Sequence, residues 1–492
     1  MSNQAGLHEP IERAMGYLER WSRPLVDLQA AVAVDSGDNH YIAEDLTHNV
    51  GRAIDGLLKG RAATGRSVDS SILDALRRVL FATLDNPTGM PAAWSRLTDF
   101  YYPGQHAGMI CSSHNIREAV QGLLELYLLD GDDEAHQRLI KILDTLYEIT
   151  DEQGCYRSER IAEYSLLCSG LPFGDHCMYG GFFKSSAQDR GRLIMALTQV
   201  YRAIGNSCAL ELAHRFVRLV RGEAFTPDGR LTHYAGSHTH SITGTVHGLA
   251  DWGLLACDFD TLNHARKIMD VGLLPTYSRF GWSIEGAWRE ARPGRGEVNN
   301  TGDMVQTSLI LGRAGWPCFF ESAERMIRSH ILPSQWRIGQ KYLQPKNDPE
   351  NHPNQLPETE DGGWGFPGVN DRYSGDRFGV LDITQGGIQC LWAAINDGIS
   401  GNQYRTEVNL LFSNSISSLN VQSELPERGT LSICSQQTKQ MTADVWVHRP
   451  TWLAVDQLDV TCDGRLAQPF LTKDWIVIPC LLYTSPSPRD RG

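Results

Sequence analysis

The chain has 492 residues, 41% hydrophobic and 21% charged, with a formal charge of −13 at neutral pH. That balance supports a large buried core. An acidic chain with no Lys/Arg-rich run argues against nucleic acid or an anionic membrane as the main partner, and no stretch approaches the length of a membrane span.

The amino terminus, MSNQAGLHEPIERAMGYLERW, lacks a basic segment followed by an apolar run, so no signal peptide and a cytoplasmic location are expected. The eleven cysteines are scattered singly without a CxxC, which predicts free thiols.

One pattern then recurs: an amphipathic run, a short Gly/Asp turn and a second amphipathic run. Asn49 to Leu84 turns at ATGRS. His114 to Ile149 is the clearest unit, with Val120, Leu123, Leu124 and Tyr127 on one face, DGDD as the turn, and Leu139, Ile142, Leu143 and Leu146 on the return. Further units span Arg192–Arg218, Thr245–Asp270 and Met304–His330, their turns roughly 55 residues apart, and Leu381–Gly398 adds another helix. Such hairpins cannot bury their apolar faces alone. About six of them close into an (α/α)6 toroid, predicted over residues 1–400, with inner-helix starts converging on one mouth.

Polar candidates fall at those starts: His48 and Asn49, His114, Asp189 and Arg190, His240, Glu297 and Asp303, and Asp382. Helix capping is the competing explanation for Asn49, Asp303 and Asp382. The densest cluster is Tyr277 to Gln306, where Glu285, Glu290, Glu297 and Asp303 lie among Trp282, Trp288, Arg289, Arg292 and Arg295. Indoles beside carboxylates suit a sugar, whose apolar face stacks on Trp while Asp, Glu and Arg read its hydroxyls. A solvated surface loop is the bland alternative.

Gln344 to Tyr373 is rich in Pro, Asn, Glu and Gly and too long for a plain connection, so it is expected to be a lid over the mouth or disordered; Trp364 and Phe366 favour the lid. From 401 to 479 short alternating runs between turns predict an antiparallel β-sandwich, incomplete as it stands. The last residues, CLLYTSPSPRDRG, break the pattern and read like a translated sequencing adapter. Residues 480–492 are therefore expected to be non-native, with the gene continuing beyond them.

A helical toroid followed by a β-sandwich, with SHNIREA and THSITGTVHG as His-led helix starts, a GE element before a long helix and the strand VWVHRPTW, resembles glycoside hydrolase family 127, the bacterial β-L-arabinofuranosidases, and its six-hairpin relatives. The resemblance implies sugar-binding roles for His114 and His240, a catalytic acid at Glu285, and Glu297 as the glutamate of the GE element. It also implies zinc held by that Glu and three cysteines, one of them the nucleophile. Here the chain departs: Asn299 stands where E-x-C needs Cys, and Leu381-Asp382-Ile383-Thr384 where paired cysteines belong. Without thiolates no zinc, no cysteine nucleophile and no other cofactor is expected.

The residues themselves allow carboxylate chemistry, which needs one protonated acid and one carboxylate flanking the glycosidic bond. The expected assignment is Glu285 as general acid and Glu297 or Asp382 as base or nucleophile. His48, His114, His240, Trp282, Asn299, Asp303 and Trp364 are expected to contact a carbohydrate substrate. Two enzymatic alternatives use the same toroid: a sugar epimerase with histidine acid and base, drawn from His114, His176, His238, His240 and His247, and a polysaccharide lyase using Tyr277, Arg279 and Asn299. A noncatalytic carbohydrate-binding protein is the third class.

Overall fold

The computed structural model describes residues 6–27, 46–91, 113–169, 185–287, 296–338, 358–367, 379–402, 404–425, 427–435, 444–462 and 464–478. Two helices, α1 (His8–Ser22) and α2 (Pro24–Asp27), precede five hairpins. The hairpins pair α3 (Leu46–Thr64) with α4 (Ser70–Leu84), α5 (Ser113–Asp130) with α6 (Asp133–Ile149), and α8 (Arg192–Ile204) with α9 (Ser207–Glu223). They continue with α10 (Thr239–Leu255) and α11 (Phe259–Lys267), then α12 (Val298–Arg313) and α13 (Cys318–Met326). Helix α7 (Ser158–Ser169) lies between the second and third hairpins, and α14 (Leu381–Gly398) closes the series.

Helices α3, α5, α8, α10, α12 and α14 each touch the next, and α14 returns to α3, so six inner helices form a closed toroid. Helix α1 packs on both α3 and α14 and supplies the sixth outer helix, a role its sequence did not announce. Every residue of α10 from Thr239 to Gly253 and of α12 from Val298 to Gly312 is buried, because an inner helix is enclosed by its neighbours and its own outer partner. Such packing needs small residues at the crossings: a Cβ on Gly51 of α3 would lie 2.3 Å from the Glu118 carbonyl oxygen of α5.

The two layers begin differently. Outer helices α4, α6, α9 and α11 start at Asp69, Asp132, Asn206 and Asp258, each accepting a backbone N–H of its own first turn. Inner helices α10, α12 and α14 follow His238, Glu297 and Val380, none of which caps with its side chain. Their N-termini, carrying partial positive charge, are left facing the mouth. Asn49, Asp303 and Asp382 lie inside their helices rather than at cap positions.

After α14 the chain enters a β region. Its five-stranded sheet has the order β1 (Ile399–Gly401), β2 (Arg405–Val408), β6 (Asp444–His448), β10 (Trp475–Ile478), β9 (Phe470–Leu471). A second sheet holds β3 (Asn414–Ile416), β4 (Leu419–Ser423) and β5 (Leu431–Ser435), and β7 (Thr461–Cys462) pairs with β8 (Arg465–Leu466). All pairs are antiparallel except β2 and β6, which run parallel from Arg405↔Asp444 to Val408↔Val447. Ile399, Val408, Leu411, Leu419, Val421, Val447 and Ile476 form a core of their own. The region is docked on α13, where Glu324 accepts the Leu411 N–H at 2.7 Å and Phe320 stacks edge-on against His448 and Trp475.

Of the expected lid, 344–357 and 368–373 lie outside the described residues, as does the 480–492 tail. The part between, 358–367, is tied to the toroid by backbone links to Gly296, Gly379 and Val380. Trp364 is fully buried, donates its indole N–H to the Ile331 carbonyl at 2.8 Å and is packed under Gly387 of α14. Among the described residues seven cysteines are free thiols, and no helix is long and apolar enough to cross a membrane.

Candidate active site

At the mouth, short β-like links tie the starts of three inner helices together. The Thr239 N–H donates to the Glu285 carbonyl at 3.0 Å, Ile284 bridges Gly296, and the Glu297 N–H reaches the Ser283 carbonyl at 3.1 Å. Gly365 then bridges Gly379, and the Val380 N–H donates to the Trp364 carbonyl at 2.7 Å. Since α10, α12 and α14 begin at those links, backbone hydrogen bonds tie together the segments that carry His240, Glu297 and Asp382.

Glu297 is buried, and its Oε1 accepts the Asn299 amide at 3.0 Å and lies 3.4 Å from His240 Nδ1. On the other nitrogen of that imidazole, Nε2 is 3.5 Å from Asp303 Oδ2, which also accepts the Thr243 hydroxyl at 2.8 Å. Asp382 keeps 21% of its side chain exposed, and its Oδ2 lies 3.5 Å from His48 Nε2. His48 in turn places Nδ1 3.4 Å from Glu118 Oε1, and its backbone N–H donates to Asn115 Oδ1 of the neighbouring inner helix α5 at 3.0 Å.

Beneath these groups lies a hub of charge. Glu118 receives Arg117 Nε at 2.8 Å, Arg52 Nη2 at 3.2 Å and Arg192 Nη2 at 3.5 Å. Arg52 extends its other nitrogen to the Asp382 carbonyl at 2.7 Å, Gln385 Oε1 at 2.9 Å and Asn299 Oδ1 at 3.4 Å. Arg192 is aimed inward by a π-helical turn, Ala187–Gly191, that precedes α8 and accommodates Thr245 where any side chain on Gly191 would clash.

These surroundings push the two mouth carboxyls apart. Burial first, and then the neighbouring Asp382 charge, raise Glu297 from an ordinary 4.5 to about 8. Burial opposes ionisation of Asp382 as well, but the His48 hydrogen bond and the Arg52 charge prevail and hold it at about 2, below its ordinary 3.8. Burial raises Asp303 to about 6. Glu118, though buried, is held far below the carboxylate range by Arg117, Arg52, His48 and Arg192. His240 is driven well below the ordinary imidazole value by burial and by Arg192 and Arg117, so its ring is neutral. A protonated acid therefore faces an ionised carboxylate at neutral pH.

The other expected residues fall as follows. Glu285 sits half-buried beside the α10 start, within electrostatic reach of Glu297. Trp282 is buried and gives its N–H to the Pro367 carbonyl at 2.9 Å, which makes it a support for the Gly296 segment. Trp364 is core, with no face left for a sugar. His114 opens α5, but its side chain lies outside the described residues, as do Trp288, Arg289, Glu290, Arg292 and Arg295. Tyr277, the lyase candidate, directs its hydroxyl at the Met269 carbonyl, 3.4 Å away on the turn after outer helix α11. Of the epimerase candidates, His176 lies outside the described residues, and both ring nitrogens of His240 already face carboxyl oxygens.

Sequence reasoning missed Glu118, Arg52, Arg117, Arg192 and Gln385. A signal existed: Arg52, Asp55 and Lys59 recur at helical spacing inside an otherwise apolar segment, and charges on the enclosed face of an inner helix must be paired. Lys59 is indeed buried against Asp55 and lies 3.4 Å from Glu125.

The zinc implied by the family resemblance does not fit these residues. Where thiolates are needed, the chain offers the Asn299 amide and the Asp382 carboxylate, and the Arg52 guanidinium already supplies a cation beside both. Cys390 is a buried thiol whose ionisation burial strongly opposes.

No described protein family and no curated protein matches this sequence. Solved structures do match in fold. A glycoside hydrolase family 127 β-L-arabinofuranosidase from Geobacillus stearothermophilus T6 aligns with 94% of this chain and 73% of its own at 12% identity, TM-score 0.57. A second family 127 β-arabinofuranosidase aligns over 94% and 72% at 14% identity, TM-score 0.58. An unsaturated glucuronyl hydrolase specific for heparin aligns over 79% and 96% at 12% identity, TM-score 0.50. The chain shares the helical toroid fold of these enzymes, followed by a β region, and at 12–14% identity the likeness is one of fold.

Proposed function

We propose that this chain is a glycoside hydrolase in which Glu297 is the general acid and Asp382 the base or nucleophile. The observation that carries the reading is the contrast between their surroundings where the inner helix starts converge. Glu297 is buried beside the Asn299 amide and the His240 ring, and that burial favours the neutral acid, whereas Asp382 is partly open to solvent beside His48 and Arg52, which favour the carboxylate. Glu297 gives its proton to the glycosidic oxygen as the bond to the anomeric carbon breaks. Asp382 either attacks that carbon or takes a proton from the water that does. Arg52 and His48 keep Asp382 ionised, and Asn299 orients Glu297. The substrate is a carbohydrate; the fold likeness to glycoside hydrolases supports that class. Glu285, the acid expected from the sequence, becomes an auxiliary group at the rim.

The test is a panel of aryl glycosides followed by release of the aryl alcohol, with uronic-acid polymers monitored for unsaturated product. Turnover that survives Glu285→Gln within about tenfold, is lost in Asp382→Asn on every glycoside, and is lost in Glu297→Gln on glycosides with poor leaving groups supports the assignment. Unsaturated product points to a lyase. Saccharide binding without turnover, unaffected by either carboxyl change, points to a noncatalytic protein.

A further inference from the structure

Behind each mouth carboxyl stands a histidine, and behind each histidine a second buried carboxyl. One row is Glu297, His240, Asp303; the other is Asp382, His48, Glu118. The rows are built alike and differ at the far end. Glu118 collects three guanidinium groups, whereas Asp303 is held by the Thr243 hydroxyl and shares the neighbourhood of Gly244 with Arg117.

A neutral imidazole has one N–H and one acceptor nitrogen. If Nε2–H of His240 is directed at the Asp303 carboxylate, Nδ1 can only accept, and the group it faces, Glu297, must carry the proton between them. We propose that Asp303 is a positioning residue that selects this tautomer of His240 and so keeps Glu297 in its proton-donating form. Asp303 is 7% exposed and lies behind the imidazole rather than at the mouth. The inference rests on Glu297 being the acid.

Other groups bear on the same proton. Glu297 also faces Asp382, Glu285, Asn299 and Arg192; His240 faces Arg192, Arg117, Arg52 and His238; Asp303 faces Arg117, Thr243, Arg52, Arg192 and Cys390. Among the described residues, the carboxylate against Nε2 is that of Asp303. Changing it therefore acts on the tautomer as well as on charge, while the arginines act on charge alone.

The variants that test this are Asp303→Asn, which changes hydrogen bonding and charge together, and Thr243→Val, which leaves the charge in place. An amide can present N–H to Nε2, which turns Nδ1 into a donor toward the Glu297 carboxylate; the loss of a negative charge works in the same direction. Both favour ionised Glu297. The readout needs no substrate: the carbonyl stretch of protonated Glu297 in infrared difference titrations, identified by its absence in Glu297→Gln. The midpoint is expected to fall by about one pH unit or more in Asp303→Asn. It should fall by less, in the same direction, in Thr243→Val, which removes only the hydroxyl that holds Asp303, and it should return in Asp303→Glu. An unchanged midpoint in folded Asp303→Asn overturns the proposal. Should near-ultraviolet dichroism show that variant unfolded, Thr243→Val decides by the same criterion. Glycoside cleavage with an unmoved midpoint defeats this inference alone, and a moved midpoint without cleavage of any glycoside defeats the hydrolase reading alone.

Discussion

Replacing Glu297 by Gln should stabilise the folded chain at alkaline pH while removing its chemistry. The folded value of about 8 stands above the ordinary 4.5, so the folded state holds this proton more tightly than the unfolded chain. The resulting stability is fully present below pH 4.5 and is lost as pH climbs to 8, an interval worth about 5 kcal/mol at about 1.4 kcal/mol per pH unit. Gln does not ionise and escapes that loss. Urea unfolding at about pH 5 and about pH 9 should therefore show the variant gaining on the wild type by several kcal/mol as pH rises. On glycosides with poor leaving groups the same change should lower kcat by about 10²- to 10⁴-fold, and far less on activated aryl glycosides that need no proton. A stability difference independent of pH would refute the claim that Glu297 is buried and neutral, and with it the acid assignment.

Asp382→Asn should abolish turnover by a similar factor, and wild-type activity should hold from neutral to mildly acid pH and fall above about 8, since Asp382 stays ionised down to about 2. Its depressed value contributes about 2 kcal/mol of stability above pH 3.8, lost as pH falls toward 2, which acid unfolding of the variant against wild type measures. Trp364→Ala should cost about 3–5 kcal/mol in chemical denaturation and leave KM of the folded fraction unchanged, because the ring fills the core beneath α14. Gly386→Ala would put a Cβ 1.9 Å from Asn299 Oδ1. A loss of about 1–3 kcal/mol is expected, and the displaced amide no longer favours ionised Glu297, so the alkaline limb of the pH profile should move upward.

The helical toroid was legible because hairpins announce themselves locally: apolar residues at helical spacing, Gly and Asp at turns, and repetition along the chain. What such periodicity cannot register is a helix whose partner is remote, as with α1, which closes the toroid against α14 from the opposite end of the chain. The β region showed as short alternating strands, but the parallel pairing of β2 with β6 joins strands separated by β3, β4 and β5, a choice made by the sheet's core and not by any local turn.

The amino-acid sequence by itself determined which helix starts carry polar groups, and His48, His240, Glu297, Asn299, Asp303 and Asp382 do converge. It also determined that no thiolate stands at the positions where zinc would need one. Only the tertiary structure decided their surroundings. Whether a carboxyl is an acid or a base depends on the water it has lost and on the charges beside it, and those charges, Arg52, Arg117, Arg192 and Glu118, come from three different inner helices. Likewise two tryptophans among glycines suggested stacking faces, and enclosure made Trp364 core and Trp282 a support, because an indole's surroundings rather than its chemistry fix what it can touch.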